Sequence, residues 1–195
     1  FTQELDRVSD LIMEGFYEPS TRDGFFGGFF RFVELYRLQQ SFALIDNGEI
    51  TMFVATIQQD NNNNKVVGFA TLNNPAFVFG LGGARAFRPF LTDLVVDKTH
   101  RQKGIARAFM DHCERYARME LKSSHLYLRV DTKNGIAKDM YRKLQYHPVF
   151  SVENKKKNKE PPPFLRIFGQ GNDNDTILLQ KALRPKKHSI KNAAE

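Results

Sequence analysis

"FLTDLVVDKTHRQKGIARAFMDHCERYARM", residues 90–119, carries a strand, a basic turn and a helix in a row. Residues 90–97 are rich in apolar and β-branched side chains and predict the strand. Residues 104–120 place Ile105, Phe109, His112, Cys113 and Tyr116 on one side of a helix. Between them Arg101, Lys103 and Arg107 surround Gly104, and small Ala106 follows. The first amides of a helix lack intrahelical partners and carry a partial positive charge, so such a junction suits a phosphate. Glycine lets an oxygen approach those amides without meeting a Cβ. The segment has neither the spacing of a Walker loop nor the three glycines of a dinucleotide fingerprint. A solvated basic turn before an ordinary helix is the bland alternative.

Upstream, residues 3–16 carry Leu5, Val8, Leu11, Ile12 and Phe16 at helical spacing, 18–24 form a loop, and the second half of 25–42 is helical. Residues 51–59 and 65–72 are β-rich runs around an Asn-rich turn at 60–64, which predicts a hairpin. Residues 73–89, with their Gly and Pro, predict an irregular connection. Downstream, 125–131 is a strand, 134–146 a short helix, 147–152 a strand, 153–163 a charged loop stiffened by prolines, and 175–183 the last strand. Residues 184–195 read as a basic, frayed tail, which leaves 1–183 as a single domain. The central strand–helix–strand–helix order gives a parallel pair, and the front hairpin and last strand must then pair antiparallel. The fold class is α/β: a mixed, mostly antiparallel sheet flanked by helices.

"RQKGIA" (101–106) is followed thirty residues on by "NGIAKDMYRKLQY" (134–146). Together they resemble the GNAT superfamily of acetyl-CoA-dependent N-acetyltransferases. The family's acyl-CoA loop reads Q/R-x-x-G-x-G/A, and its later motif N-x-x-A-x-x-x-Y before a Leu-Gly-Phe-like close. Asn134, Ala137 and Tyr141 match the second motif; Gln145 stands where the family has Gly, and Tyr146 where it usually has Phe. The resemblance implies a central parallel pair that splays to admit acetyl-CoA as co-substrate. It implies that the backbone of Leu94, Val95 and Val96 bonds the pantetheine arm. It rests the pyrophosphate on the amides of Gln102, Lys103, Gly104, Ile105, Ala106 and Arg107, beside Arg101. Asn134, Ala137 and Tyr141 then line the cofactor, and Tyr141 protonates the departing thiolate. From the residues alone, Asn134 also reads as a helix cap and Tyr141 as a core side chain.

A lysine-type amine, with a pKa near 10.4, is about one part in a thousand neutral near pH 7.4, so a proton acceptor is needed. The family's usual glutamate position falls on Arg129, which cannot serve. Asp93, in an otherwise apolar run, is the candidate base, since burial would make it a better one. Asp131, Tyr127 and Glu34 are the fallbacks. The acceptor groove of this family is built by the segments corresponding to "EPSTRDGFFGG" (18–28) and the long stretch before the last strand. The latter carries Lys155, Lys156, Lys157 and Lys159 ahead of Pro161, Pro162 and Pro163. A cationic rim repels polyamines and suits a protein or peptide acceptor with acidic neighbours, or a neutral amine. The central region most resembles bacterial ribosomal-protein N-acetyltransferases and their plant plastid relatives. A small-molecule amine acetyltransferase and a non-catalytic acyl-CoA sensor are the alternatives.

The chain of 195 residues has a net charge of +7, but residues 153–195 hold ten Lys/Arg against five Asp/Glu. The near-neutral body argues against a nucleic-acid-binding surface. No apolar run approaches the 18 or so residues of a membrane span. One cysteine excludes an intrachain disulfide, and the five histidines show no ligand spacing, so no metal is expected. The expected partners are acetyl-CoA and an amine on a protein or peptide. A monomer or homodimer is expected in an intracellular compartment, cytoplasm or plastid; a removed targeting segment would leave no trace.

Overall fold

The computed structural model describes residues 2–58, 64–77, 87–149 and 176–183. Helices α1 (Thr2–Phe16), α2 (Pro19–Arg22) and α3 (Gly27–Asp46) lead into strands β1 (Ile50–Gln58), β2 (Asn64–Phe77) and β3 (Phe87–Val96). A 3-10 turn at Lys98–His100 precedes α4 (Ile105–Met119), β4 (His125–Asp131), α5 (Gly135–Lys143), β5 (His147–Pro148) and β6 (Thr176–Ala182). The strands form one sheet in the order β1-β2-β3-β4-β6-β5. All neighbours are antiparallel except β3 and β4.

That parallel pair touches only at its start, where Phe90 pairs with Tyr127 and Leu91 with Leu128. The cause lies in β3 itself. On its other side Thr71 pairs with Asp93 and Leu72 with Leu91, so Thr92 is an extra residue. A bulge bends and twists its strand. It also breaks the two-residue alternation: Leu91 and Leu94, an odd number apart, pack into the same core cluster. Beyond Thr92 the two strands have no paired residues, and the sheet opens toward their C-terminal ends.

Helices cover both faces. Val8, Leu11, Ile12 and Leu38 of α1 and α3 pack on Val66, Phe69 and Val95. On the opposite face Phe109, Met110 and Cys113 of α4 pack with Leu72, Leu126 and Leu128. Gly68 is required by this second contact, since a Cβ there would lie 2.8 Å from the Phe109 ring.

Several sequence expectations change. Residues 73–89 are not irregular throughout: β2 runs to Phe77 and β3 begins at Phe87, with a register shift between Asn73 and Ala76. Pro75 and Pro89 have no N–H to donate, and the shift accommodates them. The loop at 18–24 holds the single-turn helix α2, started by Pro19. Helix α3 begins at Gly27, earlier than its periodicity indicates, because aromatics occupy both of its faces. Of the strand expected at 147–152, His147–Pro148 pairs with β6 and Val149 donates to the Leu178 carbonyl; the rest lies outside the described residues. The lysine-rich loop and the tail also lie outside them.

Candidate active site

Helix α4 starts just after β3, and α5 just after β4, so both N-termini stand at the edge where the parallel pair opens. Gly104 precedes α4 with φ +82°, and Gln102 is also left-handed at φ +61°. No side chain caps this helix, and its first turn holds no acid. The first helical bond runs from Ala108 N–H to the Gly104 carbonyl, so the amides of Ile105, Ala106 and Arg107 have no intrahelical partner. A Cβ on Gly104 would meet nothing within 4 Å. The backbone angle therefore calls for glycine, and the space before the amides is open. Arg101, Gln102, Lys103 and Arg107 are exposed, while Ile105 and Ala106 are half-buried.

Asp97 N–H donates to the Val67 carbonyl, and Val96 is the residue opposite Gly68. By antiparallel alternation the main-chain groups of Leu94 and Val96 face the gap, and those of Val95 face β2. The Val96 carbonyl already accepts from Arg101 Nε at 3.1 Å, so Arg101 ties the turn to the strand.

Asp97, absent from the sequence-based site, organises this turn. Its Oδ1 accepts from the Thr99 amide at 2.8 Å and the Thr99 hydroxyl at 2.6 Å, and Arg7 of α1 donates to its Oδ2. Burial alone would raise its pKa. The Thr99 hydrogen bonds, His100 and the Arg7 charge outweigh this and hold the carboxyl well below the usual range. The signal was present as Asp-x-Thr, an Asx-turn pattern.

On α5, Asn134 Oδ1 accepts from the Ala137 amide at 3.0 Å, which makes Asn134 the helix cap. Ala137 is half-buried beneath it. Tyr141 is buried in the α4-side core cluster, and burial, with Cys113 nearby, pushes its phenol up to about 12. Burial, and secondarily Glu114, pushes the Cys113 thiol up to about 12 as well, so Cys113 is a packing residue.

Asp93 does not sit in an apolar setting. Its Oδ2 lies 3.5 Å from Arg37 Nη1 and 3.3 Å from the Thr92 hydroxyl. Arg37 Nε bonds Glu34 at 2.8 Å, and Tyr17 donates to the other Glu34 oxygen at 2.7 Å. Burial opposes the Arg37 charge, but Asp93 and then Glu34 outweigh it and raise its pKa. Burial and the Glu34 bond raise the Tyr17 phenol. Glu34 is thus joined to Asp93 through Arg37; the i,i+3 spacing of Glu34 and Arg37 signals their own pairing but not the link to Asp93.

Asp93 faces α3 and Tyr141 lies on the α4 side, so the two candidates approach the gap from opposite faces of the sheet. Of the other fallbacks, the Tyr127 hydroxyl is bonded by Arg88 near the paired start of the strands, and Asp131 Oδ1 accepts the Lys133 amide in the turn before α5. Arg129 reaches Thr176 of β6 at 3.4 Å. Among the described residues no group of three His, Cys, Asp or Glu could hold a metal ion, and no helix is long and apolar enough to cross a membrane.

This architecture has known counterparts. A crystal structure of a protein from Pyrococcus horikoshii OT3 is similar over 95% of this chain and 94% of its own, with a TM-score of 0.64 and 20% identity. The PaiA N-acetyltransferase of Thermoplasma acidophilum, solved in complex with coenzyme A, is similar over 92% of this chain and 93% of its own, with a TM-score of 0.58 and 13% identity. The ribosomal-protein-S18-alanine N-acetyltransferase of Escherichia coli aligns over 78% of this chain and 81% of its own, with a TM-score of 0.46 and 15% identity. No curated sequence matches the chain. The sequence profile of the Acetyltransferase (GNAT) family matches residues 6–146, which include the opened strand pair, the uncapped helix and α5. With most of its length under that profile, the chain belongs to the GNAT acetyltransferase family.

Proposed function

We propose that the protein transfers acetyl from acetyl-CoA to a primary amine of a protein or peptide, at an N-terminus or a lysine, within one ternary complex. The observation that carries this reading is the gap beyond Leu91 and Leu128, with the uncapped α4 N-terminus at its edge. In this reading the gap-facing main-chain groups of Leu94 and the Val96 N–H bond the pantetheine, and the amides from Gly104 to Arg107 receive the phosphates. The amine nitrogen attacks the thioester carbonyl carbon. A C–N bond forms, the C–S bond breaks, and the amine's proton ends on sulfur by way of a base or water. A phenol pushed up to about 12 stays protonated near neutral pH and is a weaker acid than a thiol of about 8.5. Tyr141 therefore stabilises the leaving thiolate by donating a hydrogen bond, without becoming a lasting tyrosinate. Asp93, oriented by Arg37, is the acceptor for the amine proton. The lysine-rich stretch at 155–159 favours acidic peptide acceptors.

The Arg37–Asp93 ion pair also favours a second reading, an acyl-CoA sensor in which the carboxylate of Asp93 is engaged structurally. Labelled acetyl-CoA offered with acidic peptides, neutral peptides and spermidine separates the cases. The proposal expects label on the acidic peptides together with thiol release. It fails if spermidine is the preferred acceptor, or if acetyl-CoA binds and no acceptor releases thiol. Asp93→Asn should lower turnover about 100-fold while leaving acetyl-CoA affinity unchanged.

A further inference from the structure

We infer that α3 is the centre of a homodimer interface, in which its aromatic stripe packs against the same stripe of a second copy across a two-fold axis. Phe25, Phe26, Phe29, Phe32 and Tyr36 are 96%, 63%, 57%, 64% and 53% exposed. Phe29, Phe32 and Tyr36 lie on the helix at the three-four spacing of a helix-packing seam, and Phe25 and Phe26 lie in the turn that leads into it. The stripe lies opposite Glu34, Leu38 and Ser41, the buried side of the helix. Helix α3 is therefore apolar on both sides, and the domain core uses only one of them.

The area fits an interface. Aromatic side chains present roughly 150–250 Å² each, so the exposed parts of these five amount to about 650 Å². That exceeds the largest apolar patch of a typical monomer, about 300–600 Å². It approaches the about 800 Å² that each partner gives to a standard interface.

Charge selects the occupant. From Gly27 to residue 45 the helix has three charged residues: Arg31 is tied to Asp6 and Asp10 of α1, and Glu34 and Arg37 are tied to each other and, through Arg37, to Asp93 on the inner side. The outer face of that segment carries no formal charge. A two-fold axis sets every group near a copy of itself, so an uncharged face meets its copy without like-charge repulsion. A membrane-surface helix instead turns its Lys and Arg toward the headgroups beside its apolar stripe; here Arg31 is paired with Asp6 and Asp10 of α1, and Arg37 with Glu34 and Asp93.

Sedimentation velocity of the full chain, from about 1 to 100 µM, reads the state directly. The proposal expects a species of twice the 22.5 kDa chain mass. Phe29→Glu with Phe32→Glu sets like charges across the axis and should weaken association at least about 100-fold, with unchanged circular dichroism and acetyl-CoA affinity. If that variant does not fold, Tyr36→Arg carries the same test. A monomer across the whole range overturns the proposal, as does a dimer that the substitutions leave intact. Sedimentation of the monomer with phosphatidylcholine–phosphatidylserine vesicles, abolished by the same substitutions, overturns it in favour of a membrane surface.

Discussion

The Tyr146 amide donates to the Tyr141 carbonyl at 2.9 Å, across Gln145, which is held at φ +66°. With the Gln145 amide on the Arg142 carbonyl at 3.0 Å, these bonds form a Schellman close of α5. The two tyrosine rings meet edge to face, with centroids 5.8 Å apart. The end of α5 is thereby fixed against the candidate acid.

Gln145 occupies the left-handed position that glycine adopts without steric cost. Gln145→Gly should stabilise the protein by about 0.5–1 kcal/mol, which raises Tm by about 1–4 °C for a chain of this size. Thermal unfolding monitored by circular dichroism checks this; an unchanged or lower Tm shows that the backbone angle carries no strain here.

Tyr141→Phe should keep acetyl-CoA affinity and lower turnover about 10–1000-fold. It should also change alkaline stability. The phenol titrates near 10 in the unfolded chain and about 12 in the folded one, because burial first and Cys113 second disfavour its charge. Folding thus holds the proton between these values. The contribution is complete below pH 10 and is lost as pH rises through about 12. Urea midpoints of the Phe variant should fall less between pH 9.5 and 11 than those of the parent; parallel curves would contradict the buried, neutral phenol.

At Gly104 the left-handed angle and the proposed phosphate contact both call for glycine, and one variant can separate them. Asparagine tolerates φ near +80° better than other side chains but brings a Cβ and an amide into the open space. Gly104→Asn should lower Tm by only a few degrees and weaken acetyl-CoA binding by about 10-fold or more. Calorimetry showing native affinity would remove the phosphate from this turn.

Asp97→Ala removes the acceptor of Thr99 and leaves Arg7 without its buried partner. The cost should be about 3 kcal/mol at neutral pH. The carboxyl is held below its unfolded value, so its contribution is present above about pH 4 and fades as pH falls below that. The stability gap between parent and variant should therefore close in acid. A gap that stays constant down to pH 2.5 in urea titrations would show that Asp97 acts through packing alone.

The sequence alone determined the elements whose cause is local. The periodicity of 104–120, the alternation at 125–131 and the cap-and-helix pattern from Asn134 follow from side chains within one or two turns of each other, and the structure keeps them. Tertiary structure decided what depends on distant residues. The bulge at Thr92 exists only against the register of β2, and it opens the gap. The surroundings of Asp93 come from Arg37, 56 positions away, and Asp97 adds to its local partners Thr99 and His100 a cation, Arg7, from 90 positions away. A carboxylate's role depends on the charge beside it more than on the strand it occupies. Chain spacing carries no record of which cation folding will bring there.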